Sequence, residues 1–456
     1  MSNIENIDCY VALDDCSPTV QEYISQSTQV PGQEDAFYVV DIDDILIKHR
    51  NWIQNLPRVR PYYAVKCNSS RAILEILLGM GLGFDCASKN EIQELISLGA
   101  QPKDIIFANP CKPKSHIEYA GKFGVKLMTF DNTEELYKVA RYMPDAQLVL
   151  RIRVPDEHAV CVLGTKYGAE LDDVTILLSL AKKLGLNVTG VSFHVGSGCT
   201  SAEAYKFALQ NSRYVFDVAI GLGFQMNLLD IGGGFPGSPD SSVTFEEMAK
   251  VINTNLDLYF PDDQELNIIA EPGRYYVASA FTLACNIIAK KVITNPDGSP
   301  NAMYYINDGV YGSFNCTIFD HYVVSPTTLD YHCSSNDNNE QDLSIMQRPY
   351  LQSTIWGPTC DSMDCVKKDF HFPEMQVGEW IVFPDMGAYT ICAASNFNGF
   401  KTPGLKFYVK SYGYEVISQF YNWTKIAKML SIRPTGVDLK SKTFRSGSLL
   451  NMIEVN

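Results

Sequence analysis

The chain has 456 residues, 46% of them hydrophobic and 20% charged, with 37 Lys and Arg against 52 Asp and Glu for a net charge of −15. That length corresponds to two or three domains able to bury a core without metals or disulfides, and the composition is that of a soluble, globular protein. The acidic balance, with no run of Lys or Arg to override it, excludes a nucleic-acid backbone as partner.

Taken in chain order, Met1–Cys16 is acidic and lacks a basic stretch followed by an apolar one, so it does not read as a secretory or mitochondrial signal. Phe37–Ile42 is a β-rich run. From residue 59, short β-branched or aromatic runs alternate with stretches of helical period. The predicted strands are Tyr62–Lys66, Gly83–Ala87, Ile105–Asn109, Lys126–Phe130, Leu148–Ile152, Gly190–Val195, Leu228–Gly232 and Ile268–Glu271. Predicted helices between them include Lys89–Leu98 and Thr133–Tyr142, the second opening on an Asp131/Asn132 cap signal. Eight such units fit a (β/α)8 TIM-type barrel better than an open doubly wound sheet. The apolar stretch Val277–Ala289 is too short and too interrupted to cross a membrane.

From Tyr275 to Tyr414 short strand-like pieces dominate, such as Met303–Ile306, Glu379–Phe383 and Leu405–Val409. The expected architecture is therefore α/β: a barrel over residues 44–276 and an all-β domain formed from both chain ends, residues 1–43 and 277–415. Ser325–Gln347 is a mobile-loop candidate, and residues 416–456 read as a loosely held tail. The 13 cysteines are odd in number and form no Cys-x-x-Cys pair, which argues against a zinc site or a disulfide framework. Reduced thiols and a cytoplasmic location are expected, with no metal.

In such a barrel the polar residues that end apolar strands carry the chemistry. These are Lys66, Asp85, Asn109, Arg151, His194 with Ser197, Asp230 with the glycines after it, and Glu271 with Arg274. Taken singly each has a plain reading: a snorkelling lysine, a tight glycine turn, a buried histidine. Burial of Lys66 would favour the neutral amine that attacks an aldehyde. The run Asp230-Ile-Gly-Gly-Gly-Phe-Pro-Gly237 offers bare backbone amides, and Glu271-Pro-Gly-Arg274 adds a glycine and a guanidinium near the last strand. A lysine, a phosphate cradle and a strand-end glutamate together suggest pyridoxal 5′-phosphate, whose aldehyde, phosphate and ring nitrogen need those three partners. In the β domain Cys360-Asp361 sits in a turn and Asp320 follows Phe319; alone these read as an inert thiol and solvated acids.

The sequence closely resembles the eukaryotic ornithine decarboxylases, of the alanine racemase-like pyridoxal phosphate decarboxylases, from about residue 36 to about residue 412. The resemblance rests on Tyr63-Ala-Val-Lys66-Cys-Asn, Ala108-Asn-Pro-Cys-Lys112, Phe193-His-Val-Gly-Ser-Gly-Cys199, Leu229-Asp-Ile-Gly-Gly-Gly-Phe-Pro-Gly237, Ala270-Glu-Pro-Gly-Arg-Tyr-Tyr276, Asn307-Asp-Gly-Val-Tyr-Gly-Ser-Phe-Asn315, Trp356-Gly-Pro-Thr-Cys-Asp361 and Met386-Gly-Ala-Tyr389, in order. It implies that Lys66 holds pyridoxal phosphate covalently, Glu271 pairs with the ring nitrogen and His194 stacks on the ring. Ser197, Gly234, Gly273, Arg274 and Tyr389 would bind the phosphate, with Asp85 and Arg151 lining the pocket. It further implies a homodimer with shared active sites, Cys360 and Asp361 coming from the second subunit. Asp320 and Asp361 would hold the distal ammonium of the substrate, and Cys360 would protonate the α-carbon after carbon dioxide leaves. The implied reaction is L-ornithine to putrescine. Antizyme inhibitors share the fold without the catalysis, but Lys66, His194, Glu271, Arg274, Asp320, Cys360 and Asp361 are all present here. Phe319 stands where the family usually has tyrosine, which bears on ornithine against lysine, and Lys112–Arg141 resembles the antizyme-binding region.

Overall fold

The computed structural model describes residues 8–12, 17–157, 159–261, 266–329 and 347–430. Eight parallel strands close into a barrel: Val59–Ala64, Gly83–Cys86, Ile105–Phe107, Leu127–Phe130, Gln147–Arg151, Asn187–Ser192, Leu228–Asp230 and Asn267–Ala270. Closure is direct, with Ile268 to Ala270 of the last strand paired in parallel with Val59 to Pro61 of the first. Tyr62, Ile106, Val149, Leu228 and Ile269 pack against one another as a small separate cluster, while the main core joins the strands to the surrounding helices. The helices begin where side chains can satisfy their free N–H groups: Ser88 Oγ accepts from Glu91 N at 3.3 Å and Asn132 Oδ1 from Glu135 N at 3.0 Å. Those two helices span Lys89–Leu98 and Thr133–Tyr142, as their periodicity predicts.

All eight predicted strands exist, but most end earlier than expected. The first stops at Ala64, and Lys66 lies on a single helical turn, Val65–Cys67, that follows it. The reason is the ladder itself. Ala64 N donates to Pro272 O at 3.1 Å, on the loop beyond the last strand, and past that point the chain runs out of partner strand at the rim.

The second layer is a nine-stranded sheet drawn from both chain ends. Its order is Asp8–Ala12, Gly404–Lys410, Phe37–Asp41, Phe281–Thr294, Pro300–Ile306, Tyr350–Trp356, Cys365–Pro373, with Trp380–Phe383 also paired to Phe281–Thr294 and the short Thr327–Thr328 paired to Trp380–Phe383. Phe281–Thr294 pairs with Phe37–Asp41 and Trp380–Phe383 in its first half and with Pro300–Ile306 from Ile287 onward, with a register shift between Ile287 and Ala289.

The region expected to be a loose tail is partly structured. Ser411–Ser418 and Trp423–Met429 are helices, and Asn422 Nδ2 donates to Glu75 O at 2.8 Å and Glu75 Oε2 at 2.9 Å on the barrel helix Arg71–Gly79. Helices this short carry too little periodicity to be read from sequence. Residues 431–456 and most of the mobile-loop candidate, 330–346, lie outside the described residues. Among the described residues no helix is long and apolar enough to cross a membrane, and no three His, Cys, Asp or Glu side chains are placed to hold a metal ion.

Candidate active site

A cavity of about 440 Å³ opens at the C-terminal ends of the barrel strands. Lys66, Arg151, His194, Ser197, Glu271, Asp320 and Tyr389 line it, so seven of the predicted site residues share one wall system. Lys66 Nζ makes a short ion pair with Asp85 Oδ2. The Asp85 side chain is fully buried, and its Oδ1 has no hydrogen-bond partner among the described residues. Desolvation pulls the Lys66 amine down, but Asp85, Glu271 and Tyr389 outweigh it and the net shift is upward. The ammonium is therefore favoured, which corrects the neutral amine expected from burial alone: the burial brought its counter-charges with it.

Glu271 and Asp230 form a buried carboxyl pair. Desolvation, Asp230 and Asp85 push Glu271 well above the usual carboxylate range, and desolvation pushes Asp230 up to about 7. Two neighbouring buried carboxyls oppose each other's ionisation, which favours a proton retained on the pair, with Glu271 the more strongly raised. Asp230 Oδ1 accepts from Gly232 N at 2.9 Å and Glu271 N donates to Gly232 O at 2.6 Å, which ties both acids to the glycine turn after the seventh strand. His194 Nδ1 accepts from Gly196 N at 3.0 Å, so the neutral ring carries its proton on Nε2. Burial, then Arg151, Lys66 and Arg274, keep that ring neutral by holding its pKa well below the ordinary value.

Arg274 heads the short helix Arg274–Val277 after the last strand. Its Nη2 donates to Ser197 Oγ at 2.7 Å and to Asp320 Oδ1 and Oδ2 at 2.8 and 3.1 Å, and its guanidinium carbon lies 5.2 Å from the Tyr389 ring centroid. Ser197 is held by a small two-stranded ladder, Ser197–Cys199 antiparallel to Ala159–Cys161. Tyr389 sits at φ 55°, an uncommon conformation for a non-glycine residue, with its N–H bonded to Cys67 O at 2.9 Å. Asp320 caps the turn Cys316–Phe319 and is 8% exposed.

Cys360 and Asp361 do not line the cavity of their own chain. Both are on the surface: Cys360 N donates to Asn398 Oδ1 at 3.1 Å, and Asp361 is held by Met363 N at 2.9 Å and by a short bond from Tyr311 OH. Sequence reasoning missed Cys161, Tyr167 and Asn315, which also line the cavity. Asn315 lay within a quoted motif. Cys161 carried no signal, because its place depends on the strand pairing with Ser197 from a distant part of the chain.

The donor set suits one cofactor chemistry. Gly234 has φ 117°, and a Cβ there would come within 2.7 Å of Val195 Cγ2 and 2.9 Å of Gly196 O, so the loop stays bare backbone beside Ser197 and Arg274. An amine with a buried acid, a proton-holding carboxyl pair and a glycine and guanidinium anion cradle match the aldehyde, ring nitrogen and phosphate of pyridoxal 5′-phosphate, in a cavity of ligand size. Fold and site together define a pyridoxal phosphate-binding barrel enzyme.

Comparison with known proteins gives the family. A profile described as "Pyridoxal-dependent decarboxylase, pyridoxal binding domain" matches residues 42–278. Rat ornithine decarboxylase is 50% identical over 424 residues, 89% of this chain and 88% of that protein. Antizyme inhibitor 2 of Xenopus laevis is 50% identical over 389 residues, 84% and 82% of the two chains. Among solved structures, the arginine decarboxylase of Paramecium bursaria Chlorella virus superposes with a TM-score of 0.77 at 34% identity, covering 85% of this chain and all of that one. The lysine decarboxylase of Selenomonas ruminantium gives 0.74 at 32% identity, covering 86% and 96%. The chain belongs to the pyridoxal phosphate-dependent decarboxylase family and is a carbon–carbon carboxy-lyase of that class.

Proposed function

We propose that this enzyme decarboxylates L-ornithine to putrescine and carbon dioxide, the first step of polyamine biosynthesis, as a cytoplasmic homodimer. The observation that carries the reading is Asp320, a buried carboxylate on the wall of the same cavity as Lys66 and Glu271. A carboxylate there favours a substrate with a distal ammonium over leucine or glutamate, because an unpaired buried charge costs several kcal/mol.

When bound, the cofactor supplies an electron sink for the pair released as carbon dioxide departs. Lys66 would hold it covalently, with Asp85 as the nearest acceptor for the proton the amine must lose. Glu271 would pass its proton to the ring nitrogen and stay beside it as the counter-charge, Asp230 standing behind it. His194, kept neutral, would lie against the ring without opposing that positive nitrogen. Ser197, Gly234, Gly273, Arg274 and Tyr389 would hold the phosphate, and Asp85 and Arg151 would line the pocket. Cys360 and Asp361 would reach the cavity from the partner subunit, Asp361 completing the ammonium site with Asp320 and Cys360 delivering a proton to the α-carbon. Similarity to antizyme inhibitor 2 and the run Lys112–Arg141 support antizyme as a further partner.

The test is carbon dioxide release from L-ornithine, L-lysine, L-arginine and L-leucine with added pyridoxal phosphate. Ornithine is expected to turn over fastest, with release lost in Lys66→Ala. Phe319, 71% exposed and on the cavity wall, is the position that bears on chain length. Faster release from lysine overturns the substrate assignment, and no release from any of the four overturns the activity.

A further inference from the structure

One nitrogen joins the two halves of the site. Arg274 Nη2 donates to Ser197 Oγ, on the side assigned to the cofactor phosphate, and to both oxygens of Asp320, on the side assigned to the substrate's distal ammonium. Arg274 and Asp320 are 17% and 8% exposed, so solvent and salt screen the pair poorly. Cys161 Sγ lies 3.7 Å from Asp320 Oδ1, and this thiol brings no charge that could stand in for the guanidinium. A phosphate on the Ser197 side and a carboxylate at Asp320 therefore draw on the same cation, and their negative charges repel across it. An ammonium placed on Asp320 cancels one of those charges and returns the full guanidinium to the phosphate.

We infer that Arg274 links the two subsites positively: a substrate or product ammonium on Asp320 tightens the hold on the cofactor phosphate, and the phosphate in turn strengthens ammonium binding. The reciprocity is thermodynamic and needs no conformational change. The inference rests on the cofactor and substrate assignments above. It gives Asp320 a second role, since its charge weakens cofactor binding whenever no ammonium covers it. Dibasic amino acids and diamines would retain the cofactor, and amino acids without a distal ammonium would not.

The test uses the full-length chain and pyridoxine 5′-phosphate, which has the ring and phosphate but no aldehyde to react with amines. Its dissociation constant is measured by calorimetry for wild type and Asp320→Asn, beside pyridoxine, which lacks the phosphate. The expected result is binding of pyridoxine 5′-phosphate about fivefold or more tighter in Asp320→Asn, with pyridoxine affinity unchanged. A second measurement needs no variant: 1,4-diaminobutane should tighten pyridoxine 5′-phosphate binding to wild type. Equal or weaker binding in Asp320→Asn, an equal gain for pyridoxine, or no effect of the diamine on wild type overturns the linkage. Wild type that binds no pyridoxine 5′-phosphate at all overturns the cofactor assignment as well, so the two failures are distinct.

Discussion

Asp308, 5% exposed at the turn after the strand Pro300–Ile306, accepts N–H groups from Gly309 at 2.8 Å and Ser313 at 3.1 Å. Desolvation still outweighs those bonds and pushes its carboxyl from 3.8 up to about 6. The folded state thus binds a proton that the unfolded chain releases, so this group's stabilisation is complete below pH 3.8 and is lost as pH rises through about 6. Asp308→Asn should remove that slope: between pH 4 and pH 7 wild type should lose up to about 3 kcal/mol relative to the variant in urea unfolding. Parallel pH profiles would contradict the assignment. Legibility at this scale followed position on a strand. Lys66, Glu271 and Arg274 stood out because each follows an apolar run, although the sign of the Lys66 shift did not, since it depends on Asp85 from a neighbouring strand. Tyr389 had no local signal and came only from the resemblance; its φ is 55°, and its N–H bonds Cys67 O, far away in sequence.

Elements were legible where their own residues set them and hidden where a distant surface does. The barrel strands and the capped helices belong to the first kind. The helices Ser411–Ser418 and Trp423–Met429 belong to the second, because the first packs on the helix Ile42–Asn55 and the second on Arg71–Gly79. A Cβ at Gly79 would collide with the Phe420 ring and come within 2.8 Å of Asn422 Oδ1. Gly79→Ala would by helix propensity alone stabilise by about 1 kcal/mol. The collision predicts the opposite sign, a net loss of roughly 1–3 kcal/mol read from the denaturant midpoint, as the C-terminal helices are pushed off Glu75. An unchanged or raised midpoint would contradict this docking.

At the scale of the molecule, alternation alone fits a barrel or an open sheet, and the count of eight strands favoured the closed barrel that forms; strands from both chain ends build the adjoining sheet. What one chain leaves apart are the residues proposed for the reaction's last step. Lys66, Glu271 and Asp320 share a cavity, while Cys360 and Asp361 lie on the surface of the same chain. The sequence could place Cys360 only by resemblance, since nothing local says which cavity a surface thiol serves. If each site takes Lys66 from one subunit and Cys360 from the other, two inactive chains can repair each other. Mixed and re-associated in equal amounts, Lys66→Ala and Cys360→Ala should form heterodimers as half of all dimers, each with one intact site of two. Ornithine-dependent carbon dioxide release is expected at about a quarter of the wild-type rate per chain. Release no greater than the sum of the two separate variants would contradict it.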